Sequence, residues 1–341
     1  MTGLTERAPQ DTAAMQAAQV DNAVAIFTAR ETPEVLRATM TAASAAAAQA
    51  SASAPDRRSM IDVLVNGNIG LAEAAAQHAR TLIANVASAP RLRVWHLALA
   101  DKAHAWNQYI DAIWPGAELA FFVDGYVRLW PNTLERLSAR VHASADAMGG
   151  SGVPTVGRSA AAATRAMLAD GGIHGNCFCL KRATLLQLND IGFRLPLGLY
   201  RGDSLIGAAL AYRLNPAKYR WDLKHAVVVE ATATWDMQDA HFWRLNDWRA
   251  RWRRLDRQAQ GQLENLAVRE HLTLRRQPPQ TLPRTAAELV LGWAERCPDA
   301  ASRLNRSSSR VARAFEAFRE PRDWRAAEVP PELVGDTASD I

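Results

Sequence analysis

The stretch that decides the fold of this chain is LAFFVDGY, at residues 119–126. Its apolar run does not alternate with polar residues, which is typical of a strand buried on both faces of a sheet. The aspartate and glycine that follow are residues that favour a turn. Parallel α/β sheets bind their ligands at the carboxyl ends of the strands. Asp124 and Tyr126 are therefore candidate functional residues.

Three shorter segments that precede this stretch are predicted to be strands of the same sheet, and the first of them is a short apolar run. They lie at residues 23–28, 61–65 and 92–97, and helical patterns occupy residues 34–50, 71–86 and the segment that begins at Asp101. Strands that alternate with helices predict crossover connections and a parallel α/β sheet. Further along, the pattern predicts a loop at residues 148–154, strands at 174–180 and 221–234, and a helix at 181–188.

The composition fits one large globular domain or two smaller ones, since 48% of the 341 residues are apolar. The net charge of +5 comes mostly from arginine. This arginine content reflects either an anionic ligand or a bias in amino-acid usage. We predict a flexible N-terminus at residues 1–20, an α/β domain at 21–238, a helical region at 239–328 and a disordered tail at 329–341.

Several classes of protein are disfavoured by motifs that the sequence lacks. No Gly-x-Gly-x-x-Gly follows the first strand, and no Gly-x4-Gly-Lys-Ser/Thr loop occurs, so a dinucleotide oxidoreductase and a P-loop enzyme are disfavoured. The three cysteines provide no disulfide framework, which favours a reducing compartment. No apolar stretch has the length of a membrane span. We expect a soluble, cytoplasmic protein, and a basic helix near the C-terminus leaves peripheral membrane contact open.

The order of the motifs resembles the family 2 glycosyltransferases of the GT-A fold. Residues 101–107, DKAHAWN, are similar to the helix start of that family, and residues 121–125, FFVDG, are similar to its strand that ends in Asp-x-Asp. Residues 175–182 and 200–205 are similar to its acceptor-side strand and to its acidic helix start. The resemblance covers residue 23 to about residue 235. It implies an α/β fold, with a Rossmann-like mixed sheet flanked by helices and a C-terminal helical extension.

The resemblance also implies which residues bind a nucleotide-diphospho-sugar donor. They are Thr28, Arg30, Glu31, Asn66, Asn68, Lys102, Asn107, Asp124 and Tyr126. In this family a divalent ion, Mn²⁺ or Mg²⁺, bridges the diphosphate and is held by carboxylates, so Asp124 is the predicted metal ligand. Tyr126 stands where the family usually has a second carboxylate.

A second group of residues is predicted on the acceptor side. Asp203 is either the general base of an inverting transfer or the cap of the helix that follows it. The other acceptor-side residues are His174, Gly175, Asn176, Trp248 and Arg249. The resemblance implies a carbohydrate or lipid-linked acceptor, in polysaccharide or glycoconjugate synthesis. No nucleic-acid recognition motif is present.

Two other functions compete with glycosyl transfer. One is a non-catalytic relative that keeps the nucleotide pocket, which the tyrosine at position 126 favours. The other is a nucleotidyltransferase, which ranks last because the loop after the first strand, residues 28–33, contains no glycine.

Overall fold

The computed structural model describes residues 20–83, 90–156, 160–237 and 245–340. For residues 245–254 and 339–340 it describes the backbone and not the side chains. The predicted flexible N-terminus, apart from residue 20, and the predicted boundary at residue 238 therefore lie outside the described residues.

The first half of the chain alternates strands and helices as predicted. In chain order its elements are β1 (Asn22–Thr28), α1 (Pro33–Ser53), β2 (Ser59–Asn66), α2 (Ile69–Ile83), β3 (Arg91–Leu97), α3 (Lys102–Gln108) and β4 (Leu119–Asp124). Strand β1 pairs in parallel with β2 and with β4, and β2 pairs in parallel with β3. The start of α1 also agrees with its sequence, because Thr32 caps the helix and a proline follows at its first position.

The second half adds antiparallel strands and further helices. Its elements up to residue 237 are β5 (Val127–Leu129), α4 (Thr133–His142), β6 (Gly149–Pro154), α5 (Ala160–Asp170), β7 (Cys177–Lys181), α6 (Arg182–Asp190), α7 (Gly202–Ala211), α8 (Leu223–Ala226) and β8 (Val227–Met237). The C-terminal elements are α9 (Leu245–Arg269), α10 (Ala286–Arg296), α11 (Pro298–Ser307), α12 (Ser309–Arg319) and β9 (Glu332–Asp336). A π-helical turn, Glu270–Leu274, follows α9.

The described strands form one mixed sheet in the order β5-β8-β6-β7-β4-β1-β2-β3-β9. Strand β7 lies antiparallel to β4 and to β6, whereas β6 and β8 are parallel. The predicted α/β class with a mixed sheet flanked by helices is therefore confirmed. No helix in the described part of the chain is both long enough and apolar enough to cross a membrane.

The prediction of a loop at residues 148–154 is wrong, because these residues contain strand β6. Its glycines serve close packing. A Cβ atom at Gly150 would lie 2.5 Å from Cγ2 of Val141, and one at Gly152 would lie 2.6 Å from the carbonyl oxygen of Ala233. Only glycine lets helix α4 and strand β8 approach this strand so closely.

The prediction of a disordered tail at residues 329–341 is also wrong for most of that segment. Strand β9 pairs antiparallel with β3 and completes that edge of the sheet. The guanidinium of Arg91 binds the carboxylate of Asp336, and the backbone N–H of Leu92 donates to Oγ1 of Thr337 at 3.0 Å. An uncovered β3 would leave backbone groups unpaired, and pairing with β9 satisfies them.

The sheet has a hydrophobic core on each face. One core joins the sheet to α1, α2 and α4. The other contains Phe122 and Phe178, whose rings stack with centroids 4.8 Å apart, together with Leu263, Trp293 and Phe315 from the C-terminal helices. The C-terminal helices therefore share a core with the sheet.

Candidate functional site

The candidate site lies at the carboxyl ends of the parallel strands. Thr28 ends β1, Asn66 ends β2 and Asp124 ends β4. In the register of the sheet, Phe27 pairs with Asp124 and Thr28 pairs with Val65. These strand ends therefore meet at one edge, as the sequence predicts.

The centre of this edge is the carboxylate of Asp124. The ammonium of Lys102, at the start of α3, contacts Oδ1 of Asp124. The hydroxyl of Tyr126 lies 2.9 Å from Oδ2 of the same carboxylate. Desolvation lowers the pKa of Lys102, but the carboxylates of Asp124, Asp203 and Glu31 raise it by more, so the net shift is upward. Lys102 is therefore a fixed positive charge at the sheet edge, and its side chain remains 49% exposed.

Tyr126 is a partly buried tyrosine that connects Asp124 to the residues predicted on the acceptor side. Its hydroxyl also lies 3.1 Å from Oδ1 of Asn176, which precedes β7. Burial raises the pKa of Tyr126, and the charge of Asp124 raises it further. The phenol therefore stays protonated at neutral pH and orients Asp124, where the resembling family has a second carboxylate.

The loop after β1 is shaped by Glu31. Oε2 of Glu31 accepts hydrogen bonds from Oγ1 of Thr28 at 2.7 Å, from the N–H of Ala29 at 2.9 Å and from the N–H of Arg30 at 3.0 Å. Gly125 lies against this loop, since a Cβ atom there would be 2.6 Å from Cβ of Thr28. The predicted donor residues of this loop are thus adjacent to Asp124, and their contact with a donor stays a prediction.

The asparagine residues predicted for the donor differ in what they contact. Oδ1 of Asn68 accepts from the N–H of Leu71 and so caps α2. Asn66 is buried, and within the described residues its Oδ1 has no hydrogen-bond partner. The side chain of Asn107 makes two hydrogen bonds of 2.9 Å to the backbone of Leu195. Because both ends of the Asn107 amide are used in this way, we leave that residue out of the proposed donor site.

Four of the residues predicted on the acceptor side, His174, Gly175, Asn176 and Asp203, lie near Asp124. Asp203 lies in the first turn of α7, and the cap position belongs to Arg201, so the alternative of Asp203 as helix cap is not what the structure has. A Cβ atom at Gly175 would lie 2.8 Å from Oδ2 of Asp203, so the carboxylate rests on this glycine. Within the described residues the Asp203 carboxylate makes no hydrogen bond, which leaves it available to a ligand.

His174 lies near the carboxylates of Asp203 and Asp124. Its ring lies 4.7 Å, centroid to centroid, from that of Trp235, and its backbone N–H donates to Oγ of Ser151 at 3.0 Å. Burial lowers the pKa of His174, although Asp203 and Asp124 act in the opposite direction. The imidazole is therefore neutral at physiological pH.

The structure adds a residue that the sequence analysis missed, Glu264 of α9. This buried carboxylate accepts hydrogen bonds from the N–H groups of Tyr200 and Arg201 at 2.9 Å, and from Nε2 of Gln260 at 2.7 Å. It fixes the segment that leads into α7 and therefore positions Asp203. Burial raises the pKa of Glu264, against the effect of these hydrogen bonds. The available signal was a glutamate next to Leu263 on the apolar face of a helix.

Two predicted acceptor-side residues, Trp248 and Arg249, lie in α9, where the structure describes their backbone but not their side chains. Their role stays a prediction.

The described residues do not fit a divalent ion held by protein ligands alone. Within the described ranges, no three carboxylate, imidazole or thiolate side chains come together as a metal-ligating group. Asp124 supplies one carboxylate, and Lys102 and Tyr126 contact its two oxygens.

Comparison with known proteins adds information about the fold. No protein-family model and no curated protein matches this sequence. The structure is similar to that of the mannosyltransferase PcManGT from Pyrobaculum calidifontis, in complex with GDP-Man and Mn²⁺. The two chains are 14% identical, and the match covers 89% of this chain and 85% of that chain with a TM-score of 0.51. At this identity the likeness concerns the fold alone, a mixed sheet flanked by helices.

Proposed function

We propose that this protein is a glycosyltransferase that moves a sugar from a nucleotide diphosphate to an acceptor hydroxyl. The observation that carries the proposal is that two groups of opposite charge, Lys102 and Asp203, lie at the same edge of the sheet. Lys102 presents a positive charge beside Asp124, and Asp203 presents a carboxylate without hydrogen bonds in the described part of the chain. The similarity to a mannosyltransferase fold supports the same reading.

The two groups match the charges that develop during the transfer. Asp203 takes the proton of the acceptor hydroxyl as its oxygen forms a bond to the anomeric carbon. The bond from that carbon to the diphosphate oxygen breaks, and the nucleoside diphosphate leaves with its negative charge. Lys102 stabilises this charge, and the Tyr126 hydroxyl keeps Asp124 in place. A base on the face opposite the leaving group gives inversion at the anomeric carbon.

The finer parts of the proposal rest on the family resemblance. They are the GT-A assignment, a donor site built from Thr28, Arg30, Glu31, Asn66 and Asn68, and an acceptor in polysaccharide or glycoconjugate synthesis. Use of Mn²⁺ or Mg²⁺ at Asp124 also stays a prediction, and the contact between Lys102 and Asp124 favours the lysine as the cation next to that carboxylate.

A non-catalytic nucleotide-binding protein is the second candidate. The observation that favours it is the tyrosine that occupies the position of the second carboxylate. Such a protein would bind a nucleotide sugar but would not release the nucleoside diphosphate from it.

Asp203→Asn separates transfer from binding. A thermal-shift screen against UDP, GDP, CDP and their sugar conjugates identifies the donor, since a ligand at a hundred times its Kd stabilises the fold by about 2.7 kcal/mol. With that donor and a panel of sugar acceptors, we expect Asp203→Asn to keep the shift and to lower nucleoside-diphosphate release about 10²- to 10⁴-fold.

The control is Asp190→Asn, the same change at an exposed position at the end of α6. It should leave both readouts unchanged. A shift without release by the unmodified protein would support the non-catalytic candidate. No shift with any nucleotide would overturn both candidates.

A further inference from the structure

Two surface loops meet at the end of α7 that is remote from Asp203. The first loop, residues 212–222, connects α7 to α8, and the second, residues 274–276, begins at the last residue of the π-helical turn after α9. The guanidinium of Arg276 donates a hydrogen bond of 2.9 Å to the carbonyl oxygen of Tyr219. This bond joins the two loops into one surface, which we call the loop patch.

The loop patch carries the two most exposed large apolar side chains of the described residues. Leu274 is 67% exposed and Trp221 is 53% exposed. The Trp221 ring makes an edge contact with Tyr212, with ring centroids 5.4 Å apart. This contact holds the indole at the surface. Exposed large apolar groups that share one surface mark an interaction site more often than isolated ones do.

Five of the six charged side chains of the loop patch are positive, and Asp222 is the exception. Lys218, Arg220, Arg275 and Arg276 are exposed. Within the described residues Lys218, Arg220 and Arg276 have no ion pair, and Arg275 lies 3.7 Å from Glu270. Asp222, at the end of the first loop, is partly buried, and its Oδ1 lies 2.7 Å from Nδ1 of His225. The patch therefore presents apolar tips surrounded by cations.

The backbone of the loop patch is held in an unusual conformation. Arg213, Leu214 and Arg276 have φ values of 48°, 63° and 53°, and they are the non-glycine residues with positive φ in the described part of the chain. Such conformations cost free energy and persist where the surroundings specify them. The loops therefore have a defined shape, as a recognition surface requires.

We propose that the loop patch docks the protein onto a bilayer that contains anionic lipids. Lipid headgroups attract the cations, while Trp221 and Leu274 gain free energy by entering the boundary of the acyl chains. Tryptophan prefers this interfacial region. The phosphates of a nucleic acid would also attract the cations, but a nucleic acid offers no apolar layer for Leu274. A membrane is therefore the favoured partner. The inference does not depend on the proposed glycosyl transfer.

Vesicle co-sedimentation of the full chain tests this proposal. We expect binding to vesicles of phosphatidylcholine mixed with one-third phosphatidylserine, weak binding to phosphatidylcholine alone, and loss of binding at high salt. The double variant Lys218→Gln/Arg220→Gln should lower the partition coefficient about 25-fold, because each cation near an anionic surface contributes about fivefold. Its control is Arg303→Gln/Arg306→Gln, which removes two exposed arginines of α11.

The apolar tips are tested separately. Trp221→Ala/Leu274→Ser should lower the partition coefficient about tenfold or more, since the two groups supply the apolar contact. The matched control is Trp130→Ala/Leu186→Ser, because Trp130 is 49% exposed and Leu186 is 44% exposed outside the patch. Equal binding by patch and control variants would overturn the proposal. A second outcome would also overturn it. In that outcome the protein binds an RNA homopolymer but not anionic vesicles, and Trp221→Ala/Leu274→Ser leaves the RNA binding unchanged.

Discussion

The ammonium of Lys102 is close enough to three carboxylates, those of Asp124, Asp203 and Glu31, for each to raise its pKa. Without this cation, Asp124 would meet an incoming diphosphate as a like charge. Hydrogen bonds to charged groups contribute about 1.5–3 kcal/mol. We therefore expect Lys102→Met to weaken binding of the preferred nucleoside diphosphate by about tenfold to a hundredfold.

Isothermal titration calorimetry in the presence of a chelator measures this effect. Lys102→Arg keeps the charge and should retain part of the affinity, while Lys224→Met removes an exposed lysine at another surface and should change nothing. An unchanged Kd for Lys102→Met would remove the lysine from the donor site. Loss of binding by the unmodified protein with chelator would instead assign the charge to a metal.

At the scale of single residues, the sequence predicts which residues lie at the site better than it predicts which side chains they contact. Asp124, Asn66 and Thr28 were identifiable because each ends an apolar strand, and the sheet brings strand ends together. The contact between Tyr126 and Asn176 was not predictable, because those residues are distant in the chain and meet only through the pairing of β4 with β7. Glu264 was missed for the same reason.

At the scale of elements, β9 shows how a short segment is fixed to the sheet. The guanidinium of Arg91 binds both oxygens of Asp336, and this hydrogen bonding lowers the pKa of Asp336 below its ordinary value of 3.8. A lowered pKa means that the pair stabilises β9 fully above pH 3.8 and that this contribution is lost as the pH falls through the folded-state value. Because Arg91 is half-exposed, its contribution is about 1 kcal/mol or less.

We expect Asp336→Asn to increase hydrogen exchange of the β9 amides at neutral pH and to remove the pH dependence of that exchange beyond its intrinsic part. Exchange measured by mass spectrometry at several pH values checks this. Asp323→Asn is the matched control, because Asp323 also has a lowered pKa through its pair with Arg325 but lies outside β9. Equal protection of β9 in the two variants would show that the strand does not depend on the Arg91 pair.

The elements that were predicted correctly and those that were missed differ in the origin of their stability. Strands β1 and β4 are continuous apolar runs buried on both faces, whereas β2 contains Asp62 and β3 alternates buried with partly exposed residues. Strand β6 is rich in glycine, a residue that single-sequence reasoning assigns to loops. Its glycines are required by Val141 and Ala233, which belong to other elements. Strand β9 likewise follows two prolines and depends on the open edge of β3.

At the scale of the whole molecule, helix α7 connects the candidate site to the loop patch. Asp203 lies in its first turn, and the patch begins where the helix ends at Ala211. Ten residues of α-helix span about 15 Å. The Asp203 carboxylate and the loop patch are therefore separated by about the length of this helix.

The C-terminal helices complete the core beneath the site, and this arrangement determines how the molecule unfolds. Trp293 of α10 is buried in the same cluster as Phe122 of β4 and Leu263 of α9. Replacing a buried tryptophan by alanine costs about 3–5 kcal/mol. Because the cluster is shared, we expect Trp293→Ala to lower the Tm of one cooperative transition, by roughly 5 °C for a chain of this size. Differential scanning calorimetry distinguishes this from a separate helical domain, which would melt alone and leave a second transition at its original temperature. Trp130→Ala, at an exposed tryptophan, should leave the Tm unchanged.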